Sequence, residues 1–265
     1  MGDYFSEKVV WITGASAGIG EALALAFAAR GARLVLSARK QDALEIVADR
    51  CRSAGAGSVL VLPLDLSHQE NFAGLAAEVK AKMQRVDILV NNGGVSQRSF
   101  MKDTPMDRYR ELMEVNYFGA VALTKAVLPF MLTQKSGHIV VMSSLVGKIG
   151  SPLRTGYAAS KHALHGLFDS LRAEVFDDGL KVLLVCPGFI KTNISKNALN
   201  ADGTPTNKMD DNQVNGMPPE TLAEKILKAI QSGKQEIHVG GKEILAIGIK
   251  RFFPKLLAKI IRKRY

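Results

Sequence analysis

Seven short apolar runs recur along the chain, at 8–12, 33–37, 58–63, 87–91, 138–143, 181–186 and 236–239. Most are apolar at nearly every position, the pattern of strands buried on both faces. Between them lie longer stretches at 19–30, 41–54, 69–84, 106–134 and 156–176, whose apolar positions return every three or four residues and predict helices. Strands alternating with helices imply a parallel sheet covered on both faces. Right-handed crossovers then give an α/β fold in three layers, α/β/α, with a doubly wound parallel sheet in a single domain over 1–240.

Two segments break the rhythm. Residues 189–217 mix Asn, Asp, Gly, Thr and Pro without a sustained period, directly after a strand end. A loop of that length beside a ligand crevice predicts a substrate lid, the alternative being an unordered insertion. The second is the tail, 241–265. Ile249, Phe252, Phe253, Leu256, Leu257, Ile260 and Ile261 recur at helical spacing, with Lys250, Arg251, Lys255, Lys259, Arg262, Lys263 and Arg264 between them. Pro254 should kink this helix or begin it. Residues 249–264 therefore form a basic amphipathic helix suited to an anionic membrane surface, or one that packs its apolar side near the substrate mouth or across a dimer.

Charge sharpens this picture. The net charge is +10, and residues 242–265, with eight Lys/Arg and one Glu, carry +7 of it. The basic character is local, and the tail has no nucleic-acid recognition motif, so no nucleic acid is expected as a partner. Cys51 and Cys186 make no disulfide framework. The N-terminus has no signal-peptide pattern, its Met-Gly opening is a poor myristoylation signal beside Asp3 and Tyr4, and no run of 18 or more uncharged apolar residues exists. A cytoplasmic protein is expected, with peripheral membrane contact through the tail. The five histidines, His162 and His165 included, read as surface or interface residues and give no metal site.

The first strand runs into Thr13-Gly14-Ala15-Ser16-Ala17-Gly18-Ile19-Gly20. Gly14 allows a tight turn, Gly18 lets the backbone approach a pyrophosphate, and Gly20 lets the next helix pack against the strand, in the setting of a Rossmann-type dinucleotide site. At the end of the second strand stand Ser37, Arg39 and Lys40, a hydroxyl and two cations that suit a 2′-phosphate. NADP(H) is thus the expected cofactor and NAD(H) the alternative. Asp65 and Leu66, after the third strand, are placed to meet the adenine, unless Asp65 forms an Asx turn or cap.

Tyr157 and Lys161 lie one turn apart on a predicted helix. A nearby ammonium lowers a tyrosine pKa and readies it to pass a proton to or from a carbonyl oxygen. Lys161 can also hold a nicotinamide ribose. Ser143 and Ser144 end the fifth strand, and a serine hydroxyl there could hold the substrate oxygen. Asn116, polar within an apolar-rich helix, could order a water linked to Lys161. Leu145, Val146, Leu153 and Phe189 suggest an apolar pocket. The function expected is hydride transfer between NADP(H) and a carbonyl or secondary alcohol; the alternative is a non-catalytic dinucleotide sensor or scaffold.

Together these motifs resemble the short-chain dehydrogenase/reductase family over about residues 6 to 240. Thr13 to Gly20 is similar to its Thr-Gly-x-x-x-Gly-x-Gly. Asn91-Asn92-Gly93-Gly94 resembles its Asn-Asn-Ala-Gly, with Gly93 for Ala. The resemblance makes Asn116, Ser144, Tyr157 and Lys161 the catalytic four, selecting Ser144 over Ser143. It makes Gly14, Ser16, Ala17, Gly18, Ile19, Gly20, Asn91, Asn92, Gly93, Pro187, Gly188, Ile190 and Thr192 cofactor contacts. Ala17 stands where many NADP-preferring members carry Lys or Arg. The stretch 156–168 resembles the hydroxysteroid dehydrogenase branch, which implies an apolar steroid-like, retinoid-like or lipid-like substrate. It also implies a homodimer or homotetramer through the helices 106–134 and 156–176.

Overall fold

The computed structural model describes residues 3–262; Lys263 and Arg264 of the predicted basic tail, and the Met-Gly start, lie outside the described residues. The strands are β1 (Val9–Thr13), β2 (Arg33–Ser37), β3 (Ser58–Val61), β4 (Ile88–Asn91), β5 (Gly137–Met142), β6 (Leu180–Pro187) and β7 (Glu236–Val239). All pair parallel, in the order β3-β2-β1-β4-β5-β6-β7. The order reverses between β1 and β4, so the crevice beyond their carboxyl ends is the place for a ligand.

The helices are α1 (Gly18–Ala28), α2 (Gln41–Ser53), α3 (Phe72–Met83), α4 (Met106–Met113), α5 (Gly119–Gln134), α6 (Thr155–Glu174), α7 (Asp211–Val214), α8 (Pro219–Gln231), α9 (Leu245–Phe252) and α10 (Pro254–Arg262). Helices α1, α2 and α8 share one core with one face of the sheet; α3, α5 and α6 share the other. Trp11 on β1 is fully buried, and its indole N–H donates to Ser37 Oγ at 2.9 Å. Left without that partner, the buried N–H would cost about 1–3 kcal/mol.

Two expectations about the helices need correction. The stretch 106–134 is not one regular helix, because a π turn at Glu114–Phe118 separates α4 from α5. By length and composition an 18-residue window within this stretch is apolar enough to cross a membrane. Here Leu123, Val127 and Met131 pack it against the sheet instead. Helix α8 is absent from the predicted set, although Leu222, Ala223, Ile226, Leu227 and Ile230 recur at helical spacing and are buried, mostly against α1.

The segment 189–217 is folded. Lys191 N–H donates to Met217 O at 3.0 Å and Met217 N–H to Phe189 O at 2.9 Å, which fastens its two ends together. Pro254 begins α10 rather than kinking one long helix. Leu257 of α10 packs with Leu145 and Ile149, so the tail's apolar side rests on the body of the protein.

Candidate active site

The loop after β1 and the loop after β4 are bolted together. Thr13 Oγ1 accepts from the backbone N–H of Asn92 and of Gly93, both at 3.0 Å. Asn92 Nδ2 returns a bond to Thr13 O at 2.9 Å. Gly14 and Gly18 hold φ of +64° and +61°, which a residue with a Cβ rarely adopts. A Cβ on Gly18 would press on Thr192 at 3.2 Å. Helix α1 starts there, and its Ala17 cap offers no side-chain acceptor to the first-turn N–H groups. At Gly93 a methyl would collide with Leu66 Cδ1 at 2.5 Å, so Leu66 fills the space that an Ala would take.

A cleft of about 1090 Å³ opens above this junction. Gly14, Ala17, Gly18 and Ile19 line it on one side, and Pro187, Gly188, Phe189, Ile190 and Thr192 on another. Ser144, Leu145, Val146, Tyr157 and Lys161 line it as well. Helix α6 presents Tyr157 and Lys161 inward, both buried. Gln97 Oε1 accepts from the N–H of Gly156 and of Tyr157, at 2.9 and 3.3 Å, and so fixes the start of α6. Nothing in the sequence periodicity marks Gln97; only its polarity, at a strand-end loop, sets it apart.

Lys161 Nζ lies 5.9 Å from the Tyr157 ring centre and donates to Met142 O at 2.8 Å. Burial pulls the Lys161 ammonium down to about 8. Burial also raises the Tyr157 phenol above its ordinary value, against lowering by its hydrogen bond to Ser144 and by Arg98 and Arg154. The expected lowering of Tyr157 is therefore reversed. Desolvation outweighs the nearby cations, and the phenol is held as an acid.

Asn116 sits in the π turn, fully buried. Its Nδ2 donates to Val95 O at 2.9 Å and to Ser160 Oγ at 3.0 Å, while its Oδ1 accepts from Val95 N–H at 2.8 Å. One acceptor position of Oδ1 remains beside Gly94, where Lys161 Nζ also approaches. Both of its donors are committed, so any water it orders toward Lys161 must be a donor to it.

Several predicted contacts lie elsewhere. Ser37 is fully buried with its hydroxyl on Trp11, too deep to meet a phosphate, whereas Arg39 and Lys40 are exposed at the end of β2. Asp65 forms the Asx turn, accepting from Ser67 N–H at 2.9 Å. Asn91 points to the other face and donates to Thr124 Oγ1 at 2.9 Å, because alternate strand residues face opposite layers. Leu153, with φ of +64°, lines a separate shallow depression with Ser99 and Phe100. Ser16 and Gly20 do not line the cleft; Gly20 instead lets α1 approach the Gly14 backbone closely.

His165 is buried rather than superficial, since positions 157, 161 and 165 share one face of α6. Its Nε2 meets Ser143 Oγ at 2.9 Å and Cys186 Sγ at 3.6 Å, and its Nδ1 faces Glu236 Oε2 at 3.5 Å. The spacing of these residues along the chain gives no hint of the cluster. His165, Cys186 and Glu236 bring possible metal donors within 4.8 Å of one another. The imidazole stands between the other two, one nitrogen toward each, and Lys148 Nζ already sits on Glu236 at 2.7 Å. This arrangement is a buried polar bridge that ties the turn after Ser144 to β7. Arg98, Arg154, Asp210, Glu243 and Ala246, unmarked by the sequence, also line the cleft, together with Leu257, Ile260 and Ile261 from the tail's apolar side.

A profile of the short chain dehydrogenase family matches residues 8–203. The chain is 40% identical over 270 residues to dehydrogenase/reductase SDR family member 7B of Bos taurus, covering 100% of this chain and 83% of that protein. The chain belongs to the short-chain dehydrogenase/reductase family. It is also 42% identical to the SDR family protein 7-like of Drosophila melanogaster, covering 97% of this chain and 80% of that one. Among solved structures of the family, a short-chain dehydrogenase from Streptomyces avermitilis is 31% identical with a TM-score of 0.82, covering 97% of this chain and 100% of that one. A Burkholderia phymatum member, solved in complex with NAD, is 26% identical with a TM-score of 0.83, covering 95% of each chain. The family membership makes the chain an oxidoreductase on a dinucleotide-binding fold.

Proposed function

We propose that the protein reduces a ketone or aldehyde with an apolar body, using NADPH, with Tyr157 as the proton donor. One observation carries this reading: the buried Tyr157 phenol, hydrogen-bonded to Ser144 and one turn from Lys161, on the wall of a cleft that also contains the glycine loop. The residues fit a dinucleotide. Gly14 and Gly18 keep φ values that open a cradle, and a Cβ on Gly18 would close it against Thr192. Gly14, Ala17, Gly18, Ile19, Gly93, Pro187, Gly188, Ile190 and Thr192 would hold the cofactor, and Lys161 its ribose.

When bound, the nicotinamide supplies the hydride to the carbonyl carbon. Tyr157 gives its proton to the carbonyl oxygen, and the Ser144 hydroxyl orients that oxygen by a hydrogen bond. A phenol held protonated by burial suits this direction, because reduction needs an acid. Lys161 steadies the tyrosinate that remains, and a water donating to Asn116 Oδ1 can pass a proton back through Lys161. Arg39 and Lys40 support NADPH, since both stand exposed at the end of β2 while the Asp65 carboxylate is engaged by Ser67.

The apolar wall formed by Leu145, Ile149, Leu257 and Ile261 supports an apolar substrate. The other side of the tail leaves Phe252, Phe253 and Leu256 exposed among Lys250, Arg251, Lys255 and Lys259. That surface suits an anionic membrane that holds such a substrate.

The test is NADPH oxidation by a panel of apolar ketones and aldehydes, with NADH in parallel. Turnover that prefers NADPH is expected, and Tyr157→Phe should lower kcat about 100-fold or more while dinucleotide affinity stays. Undiminished turnover in Tyr157→Phe, or binding of neither dinucleotide, contradicts the reading.

A further inference from the structure

We infer that Arg98 and Arg154 form a two-guanidinium subsite that takes an anionic group of the substrate, a carboxylate or a phosphate, so that the ketone is an amphiphile. The inference rests on the reading above that a carbonyl is reduced at Tyr157. Arg98 comes from the loop after β4, Arg154 directly precedes α6, and both line the cleft that contains Tyr157. Their side chains are only 17% and 10% exposed.

The two guanidinium groups converge on one oxygen. Arg154 Nη2 lies 3.0 Å and Arg98 Nη2 3.7 Å from Asp210 Oδ2. The rest of each fork is anchored. Arg98 Nη1 donates to Ser96 Oγ at 2.9 Å and to Gln97 O at 2.8 Å, and Arg154 Nη1 donates to Ser151 Oγ at 3.0 Å. Planar guanidinium groups pre-aligned on an oxyanion are the usual protein device for binding carboxylate and phosphate.

The carboxylate now in the fork belongs to the lid. Asp210 lies in segment 189–217 and caps α7 through Oδ1, which accepts from Asn212 N–H at 3.1 Å. An anionic substrate group would compete with Asp210 for the same guanidinium groups, so substrate entry and lid position are linked. The cleft carries both chemistries: Tyr157 lies close enough to Arg98 and Arg154 to feel their charge, and Leu145, Ile149, Leu257 and Ile261 pack together in its lining. A carbonyl near the anionic end of an alkyl chain places each part against matching chemistry.

The experiment uses the full chain with NADPH and three ketones of similar length: uncharged 2-dodecanone, 3-oxododecanoate and 2-oxododecyl phosphate. At least one anionic ketone should exceed 2-dodecanone in kcat/KM by about tenfold or more, the scale of one charged hydrogen bond. The better anion identifies the source. Arg98→Gln and Arg154→Gln should each lower the anionic-to-neutral ratio, and Asp210→Asn should lower KM for the anionic ketone. Arg154→Lys, which keeps the charge but not the fork, serves if Arg154→Gln fails to fold.

Binding is read apart from turnover by the melting-temperature shift with dodecyl phosphate and with dodecanoate. Ketone turnover with no preference for either anion overturns this inference and leaves the reductase reading standing. No turnover of any ketone, with an anion-dependent shift lost in the Arg variants, does the reverse. Absence of both overturns both.

Discussion

Burial sets the chemistry of Tyr157 and Lys161 in opposite directions, keeping the phenol protonated and easing the ammonium toward neutrality at about 8. For Lys161 the folded pKa lies below its ordinary 10.5, so the unfolded chain binds more protons between those values. Stability from this group is therefore at its lowest below pH 8 and rises toward pH 10.5. Lys161→Met should melt higher than the parent at pH 7, by a margin that narrows as pH rises through this window, while losing turnover. Melting below the parent at pH 7 would contradict the burial argument. At the end of β2, Arg39→Asp should move the kcat/KM preference from NADPH toward NADH, as measured with one ketone and both cofactors. An unchanged ratio would remove Arg39 from the phosphate site. The positions of the glycine loop, of Tyr157 and Lys161 on one helix face and of Asn116 were legible in the sequence: the loop joins a strand to a helix, the pair is spaced by one turn, and Asn116 is polar within an apolar-rich stretch. Ser37 and Asn91 were misplaced because motif spacing does not report which face of a strand a side chain takes.

Among the elements, the inner strands were legible because strands buried on both faces are continuously apolar, whereas the edge strands β3 and β7 are only partly buried and showed as short runs. The break in 106–134 was not, since a π turn leaves the apolar period nearly intact, and only Asn116 disturbs it. Helix α8 carried a readable period but follows the irregular segment 189–217, where the alternation of strand and helix lapses. The tail was read as a basic amphipathic helix with two uses, and α10 takes the packing one through Leu257. Leu257→Asp should raise KM for an apolar ketone without a like change for a short water-soluble aldehyde, measured by NADPH oxidation. Equal effects on both would mean that α10 supports the fold rather than the pocket. Contacts made across the chain, such as Lys148 with Glu236 at 2.7 Å, have no local signature and emerge only once β5, β6 and β7 lie side by side.

For the whole molecule, the buried His165 and the half-buried His138 oppose acid. Burial first, then Lys181 and Lys8, bring His138 down from 6.5 to about 4, and burial lowers His165 as well. Both are neutral in the fold, whereas the unfolded chain takes up protons below about 6.5. The melting temperature should therefore fall as pH drops from about 6.5 to 4, and His138→Gln should flatten part of that fall; an identical slope would assign the acid lability elsewhere. The exposed side of the tail predicts sedimentation with anionic vesicles that declines at high salt. Equal sedimentation of the full chain and of Phe252→Ser/Phe253→Ser would remove the membrane role. The central claim is hydride delivery to a carbonyl beside Tyr157. It is tested most directly by mass spectrometry of the alcohol formed from an apolar ketone and NADPH deuterated at nicotinamide C4 on each face in turn. The account predicts one deuterium on the former carbonyl carbon from one face only, and loss of that product in Tyr157→Phe. Alcohol without deuterium from either face, or product undiminished in Tyr157→Phe, would contradict it.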